Sequence, residues 1–160
     1  NPHQGQDSYI KRYARLGADR IGIHRKSIQN KSEINLALDQ IVENGSQPGI
    51  FIEVDEIIDD EVLSLIFKKN INWVVLMGVP VGFGGQFFNE QILFKAITLR
   101  KYAIKKKINL KVEVDGGLDR DNIVMCKNFG VDYLSGWSLV KSPNIKEYEK
   151  NINIVRKKLK

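Results

Sequence analysis

The chain has 160 residues, 42% apolar and 28% charged, as expected of one soluble domain long enough to bury a core. No apolar run approaches the ~20 residues of a membrane span, and a single cysteine, Cys126, excludes an intramolecular disulfide and fits a reducing, cytoplasmic compartment. The net charge of +6 suits anionic partners. Much of it sits in Lys105–Lys107 and Arg156–Lys158, near predicted helix ends where cations complement the macrodipole, so it does not point to nucleic acid.

The chain opens Asn1-Pro2-His3-Gln4, without Met or a visible signal peptide, which reads as the interior of a longer protein. Asp7 to Leu16 is patterned as a helix. Arg20–His24 then reads as a short strand. Ser32-Glu33 opens a helix with Ile34, Leu38, Ile41 and Val42 on one face. Ile50–Val54 is a strand entered through Pro48-Gly49. Asp59 or Asp60 caps a helix carrying Val62, Leu63, Leu65, Ile66 and Phe67. The unbroken apolar run Trp73–Met77 suits a strand covered on both faces. A long helix after Asn89 aligns Ile92, Ala96, Leu99 and Ala103. Leu110–Val114 alternates as a strand, and a short helix begins at Asp119 or Asp121 and ends near Gly130. In that helix Cys126 reads as a small apolar residue, not a nucleophile. Tyr133–Gly136 is the fifth strand. The last helix, after Ser142-Pro143, stripes Ile145, Tyr148, Ile152, Val155 and Leu159.

Such alternation of strand and helix predicts a parallel sheet with right-handed crossovers, in one domain without linkers. Leu16-Gly17-Ala18-Asp19 and Phe129-Gly130-Val131-Asp132 repeat a helix–Gly–strand joint. Two architectures satisfy the pattern: a five-stranded doubly wound sheet, or five units of a (β/α)8 barrel. Periodicity does not separate them.

Chemistry concentrates at three strand ends. After the third strand, Met77 to Gln86 places three glycines in four residues (Gly82, Gly84, Gly85), which let backbone N–H groups approach an anion; a flexible loop would look the same. After the fourth, Glu113-Val114-Asp115-Gly116-Gly117 sets a carboxylate where parallel α/β folds do their chemistry, although Asp-Gly also makes ordinary turns. After the fifth, Ser135-Gly136-Trp137-Ser138 can lead a phosphate to a helix start.

Together these segments resemble the ribulose-phosphate 3-epimerase family, which typically reads Met-Ser-Val-Asn-Pro-Gly-Phe-Gly-Gly-Gln after its sixth strand, Glu-Val-Asp-Gly-Gly after its seventh and Gly-Ser-Ala near its eighth. Met77, Val79, Gly82, Phe83, Gly84, Gly85 and Gln86 keep the first motif in register, and Glu113 to Gly117 complete the second. Gly17-Ala18-Asp19 with Ile23-His24 resembles the family's fourth strand. The match runs from about Tyr9 to the C-terminus.

The resemblance implies a TIM barrel of the ribulose-phosphate-binding type with only strands four to eight present. Residues 1–160 would be a single domain, the C-terminal two-thirds of the barrel, with roughly 65–70 residues preceding Asn1 in a barrel of ordinary length. It implies an isomerase that inverts the carbon beside the carbonyl of a ketose phosphate, interconverting ribulose 5-phosphate and xylulose 5-phosphate. A divalent metal (Zn, Fe, Mn or Co) is implied too, held in the family by two His and two Asp, the Asp pair also moving the protons. Asp115 matches the later Asp, as metal ligand and acid/base. The other ligands belong to strands not seen here, so the 160-residue chain alone is expected to be inactive. Gly82, Phe83, Gly84, Gly85, Gly116, Gly117, Gly136 and Trp137 match the phosphate-binding turns. The implied partners are a small sugar phosphate and further copies in a homo-oligomer, with no nucleic acid and no membrane. His3 and His24 do not replace the missing ligands; His24 reads as a hydrogen-bonded residue of the barrel end.

Four departures bear on substrate. Pro80-Val81 replaces Asn-Pro, Trp137 replaces Ser, Arg25-Lys26 follows His24 where Glu is common, and the fifth family strand ends Glu53-Val54-Asp55 in place of Asn-Pro. They keep alternatives open: a non-catalytic sugar-phosphate-binding paralogue, or a related phosphate-binding barrel with decarboxylase or aldolase chemistry.

Overall fold

Alternation along each strand sorts its side chains onto two faces. One set is apolar and fully buried: Ile23, Ile50, Ile52, Val74, Leu76, Val112 and Val114. The other set is mixed, with Gly22 and His24, Gly49 and Phe51, Trp73 and Val75, Glu113 and Asp115, then Tyr133 and Ser135 lying side by side in the strand register.

The computed structural model describes residues 8–28 and 30–160. The elements are α1 (Tyr9–Arg15), β1 (Arg20–His24), a 3-10 turn at Arg25–Ser27, α2 (Lys31–Glu43), β2 (Gln47–Ile52), α3 (Asp60–Lys68), β3 (Trp73–Met77), α4 (Ile92–Lys106), β4 (Lys111–Asp115), α5 (Asn122–Asn128), β5 (Tyr133–Ser135), α6 (Trp137–Val140) and α7 (Glu147–Lys158). His3 and the expected helix start at Asp7 lie outside the described residues. The sheet is parallel throughout and its order is β1-β2-β3-β4-β5. Each strand sits beside its sequence neighbour, so the order never reverses. A doubly wound sheet must reverse; this one is wound in a single sense, as a barrel is. Among the described residues β1 pairs only with β2, and β5 only with β4. No helix of the described residues is long and apolar enough to cross a membrane.

The apolar face packs against Ala37, Leu38 and Ile41 of α2, Val62 and Ile66 of α3, Leu93, Ala96 and Leu99 of α4, and Ile123 and Cys126 of α5. Helix starts follow capping chemistry. Asn30 accepts from Ser32 N at 2.9 Å, opening α2 one residue before the expected Ser32, and Asp59 accepts from Val62 N at 2.9 Å. Asp119 Oδ1 accepts from the N–H groups of Asp121 and Asn122, both at 2.8 Å, just ahead of α5. The last helix is less buried than its stripe predicts. Ile145 precedes α7 and is exposed, and no residue of α7 is fully buried.

Cys126 is fully buried, and burial pushes its thiol up to about 11. A thiol reacts as thiolate; with the pKa raised, the reactive form at pH 8 is only about one part in a thousand. Iodoacetamide at pH 8 should therefore label the native chain at least ~100-fold more slowly than the urea-unfolded chain, as read by mass spectrometry. Equal rates would contradict this burial.

The mixed face is concave. Trp73 lies flat across β2, where a Cβ on Gly49 would fall 2.3 Å from its ring, and Phe51 occupies the equivalent space over Gly22, also at 2.3 Å. Trp73 Nε1 donates to Glu113 at 2.9 Å. The Arg20 guanidinium, from β1, stands 5.9 Å from the Trp73 ring and 5.8 Å from the ring of Tyr133 on β5. The sheet thus curls until its first and last strands meet through side chains over the indole.

Candidate functional site

All five strands end on one rim, and there the three sequence motifs come together. A cavity of about 730 Å³ is lined by Asp115, Gly116 and Gly117 after β4, by the turn from Val79 to Phe88 after β3, and by Gly136, Trp137 and Ser138 after β5. Every residue expected at the site, Asp115, Gly82, Phe83, Gly84, Gly85, Gly116, Gly117, Gly136 and Trp137, lines it. A larger groove of about 900 Å³ runs between β5 and α7; it shares Gly136 and Trp137 but contains neither Asp115 nor the glycine turn after β3.

The turns are locked to one another. Gly78 N donates to Asp115 O at 2.7 Å, and Asn89 N donates to Gly78 O at 2.8 Å, closing the base of the first turn. Gln86 Nε2 donates to Pro80 O and Phe83 O, both at 2.7 Å, and staples that turn across its middle. Gly116 N is already engaged with Ser135 O at 3.1 Å. Asn122 Nδ2 donates to Gly117 O at 3.0 Å, and Ser138 Oγ donates to Leu118 O. Gly117 adopts φ +68 with Phe88 backbone 2.8 Å from where a Cβ would be, so the first two turns touch only because this residue lacks a side chain. Asp115 is half-buried at the mouth, its register partners being Met77 and Ser135. Around the opening Phe83, Phe87 and Trp137 are 82%, 97% and 62% exposed.

The rim at β1 and β2 is held by charge. Arg25 Nε donates to Glu56 Oε1 at 2.8 Å, and Glu56 Oε2 accepts from Glu53 N at 2.7 Å; Glu56 itself is buried. Lys26 pairs with Asp55 and stands 3.7 Å from Glu53. The hydrogen bond from Lys26 lowers the Asp55 carboxyl below its ordinary value. Lys95, from α4, donates to Glu53 O at 2.8 Å and Val54 O at 2.7 Å, and burial lowers its ammonium below the usual lysine range.

The cavity also takes in a residue expected only at the barrel end and not among the site residues. His24 lines it, with its ring stacked on Phe51. Its position at the C-terminal end of a parallel strand was the available signal. As to a metal ion, the described residues do not fit one by themselves: among them no three His, Cys, Asp or Glu side chains come close enough to hold an ion.

A parallel sheet wound in one sense, with strand-end glycine turns gathered around a carboxylate, defines the class: an α/β fold of the TIM-barrel type. Solved structures agree. KGPDC from Streptococcus mutans superposes with a TM-score of 0.66 at 14% identity, over 97% of this chain and 68% of that one. A tryptophan synthase α-subunit mutant from Pyrococcus furiosus gives 0.63 at 17% identity, over 96% and 59%. The model of the ribulose-phosphate 3 epimerase family matches residues 4–140, and the chain belongs to that family. Relatives named ribulose-phosphate 3-epimerase include one from Chlamydia pneumoniae, 34% identical over 79% of this chain and 53% of its own length, and one from Buchnera aphidicola, 31% identical over 96% and 64%. The chain thus spans between half and two-thirds of the curated relatives it matches.

Proposed function

We propose that this chain is the part of a sugar-phosphate 3-epimerase that holds the phosphate and one of the two proton carriers, acting on ribulose 5-phosphate or a close relative. One observation carries this reading: Asp115 and the glycine turns after β3, β4 and β5 surround a single cavity on one rim. Backbone turns that admit an anion would anchor the phosphate, the Gly82–Gly85 turn with Phe83, together with Gly117, Gly136 and Trp137, supplying most of the wall. The N–H of Gly116 is already spent on Ser135, so its share is the close approach that a missing side chain allows. α6 is a single turn and adds little dipole of its own.

Inverting a carbon beside a carbonyl requires a base on one face and an acid on the other. Asp115 would be one of the two and would take or give the proton at C3. The second carrier would come from outside the described residues. So would the remaining donors if Asp115 also ligates a divalent ion. Curvature supports the same reading. In a closed cylinder the strand diametrically opposite is half the strand count away, and β1 and β5, four apart, meet across the interior through Arg20 and Tyr133. That spacing fits closure at eight strands, of which β1 to β5 would be the fourth to eighth.

The complete gene product with a divalent metal should convert ribulose 5-phosphate to xylulose 5-phosphate and exchange the C3 proton with D2O, read by proton NMR. Residues 1–160 alone should not convert it. Binding without conversion by the complete gene product would identify the non-catalytic paralogue instead, and no binding at all would end the proposal.

A further inference from the structure

His24 is fixed on two sides. Its ring is stacked on Phe51, with centroids 4.6 Å apart and planes inclined by 22°. Its Nδ1 stands 3.7 Å from Glu53 Oε1, an ion-pair distance. Both supports are themselves held. Phe51 sits in the space left by Gly22 and meets Trp73 edge-on at 5.8 Å. Glu53 is bound through its N–H to buried Glu56 and through its carbonyl to Lys95. Glu53 thus occupies the Nδ1 side of the ring. With Nδ1 facing Glu53 and one ring face covered by Phe51, Nε2 is the nitrogen left to the cavity, which His24 lines and Glu53 does not.

We infer that His24 is a substrate-orienting residue whose Nε2 hydrogen-bonds a sugar hydroxyl at the end remote from the phosphate. This rests on the sugar-phosphate reading of the cavity. The glycine turns lie after β3, β4 and β5, whereas His24 closes β1. A ligand anchored by its phosphate on the first side extends its hydroxyl-bearing chain toward the second. A histidine that only shaped the rim would have no need to line the cavity, since Arg25, Lys26 and Lys95 already tie β1 and α4 to the segment after β2.

The test is titration calorimetry of the complete gene product with inorganic phosphate and with ribulose 5-phosphate, for the wild type, His24→Ala, His24→Gln and Glu53→Gln. His24→Ala should weaken ribulose 5-phosphate about tenfold, the scale of one lost hydrogen bond, and leave inorganic phosphate unchanged. His24→Gln, which keeps a hydrogen-bonding group, should restore part of the loss, and Glu53→Gln should show a smaller loss with the same selectivity. Equal weakening of both ligands, or none of either, overturns the role of His24 while the sugar-phosphate reading stands. If the wild type binds neither ligand, that reading falls and the role of His24 falls with it.

Discussion

Asp115→Asn should lower epimerisation by the complete gene product by at least about a thousandfold, within the range that a positioned acid–base group supplies, while inorganic phosphate still binds. The two effects separate because the backbone and the side chain of this residue do different work. Its carbonyl accepts from Gly78 N at 2.7 Å and its strand pairs with β3 and β5, which fixes the turns around the cavity. Its carboxylate is half-buried at the mouth of the cavity. Asparagine preserves shape and backbone but neither accepts nor returns a proton at neutral pH. Thermal melting should move little and the NMR-monitored conversion should stop. A variant keeping more than a tenth of wild-type turnover would remove Asp115 from the chemistry.

Gly117→Ala should weaken phosphate binding at least ~10-fold and lower the melting temperature, whereas Gly17→Ala should only lower the melting temperature. Both glycines have positive φ, +68 and +87, so each alanine bears the left-handed strain of about 1–2 kcal/mol. At Gly17 nothing lies within 4 Å of the added methyl. At Gly117 the methyl falls 2.8 Å from both Phe88 Cα and a Val79 methyl, so the turns after β3 and β4 must separate. Comparing the two variants by calorimetry and melting isolates the close approach from the strain. Equal phosphate affinity in both would mean that the contact between the turns does not shape the anion site.

The apolar patterns of β1, β3, β4 and of α1 to α5 were legible because one face of each is buried, which imposes a local period. Strand order was not legible, since it depends on which strand each crossover returns beside. Sequence reading also starts β2 at Ile50, taking Pro48-Gly49 as its approach; the strand begins at Gln47. There the long-range contact decides: Gly49 is chosen by the Trp73 ring lying over it, not by a turn. Likewise, Arg25-Lys26 and Glu53-Val54-Asp55 look like separate departures from the family in one dimension. Folded, they answer each other, Lys26 with Asp55 and Glu53, and Arg25 with Glu56. Asp115 and the glycines were legible because strand-end chemistry is written in contiguous residues. The packing of His24 was not legible because its neighbours, Phe51 and Glu53, lie on the next unit.

The guanidinium of Arg20 rests near both the indole of Trp73 and the ring of Tyr133. Arg20 and Tyr133 act as a strap between the first and last strands of the sheet. The curl of the sheet is thereby held from inside its hollow, and loosening that clasp would let the outer strands drift apart.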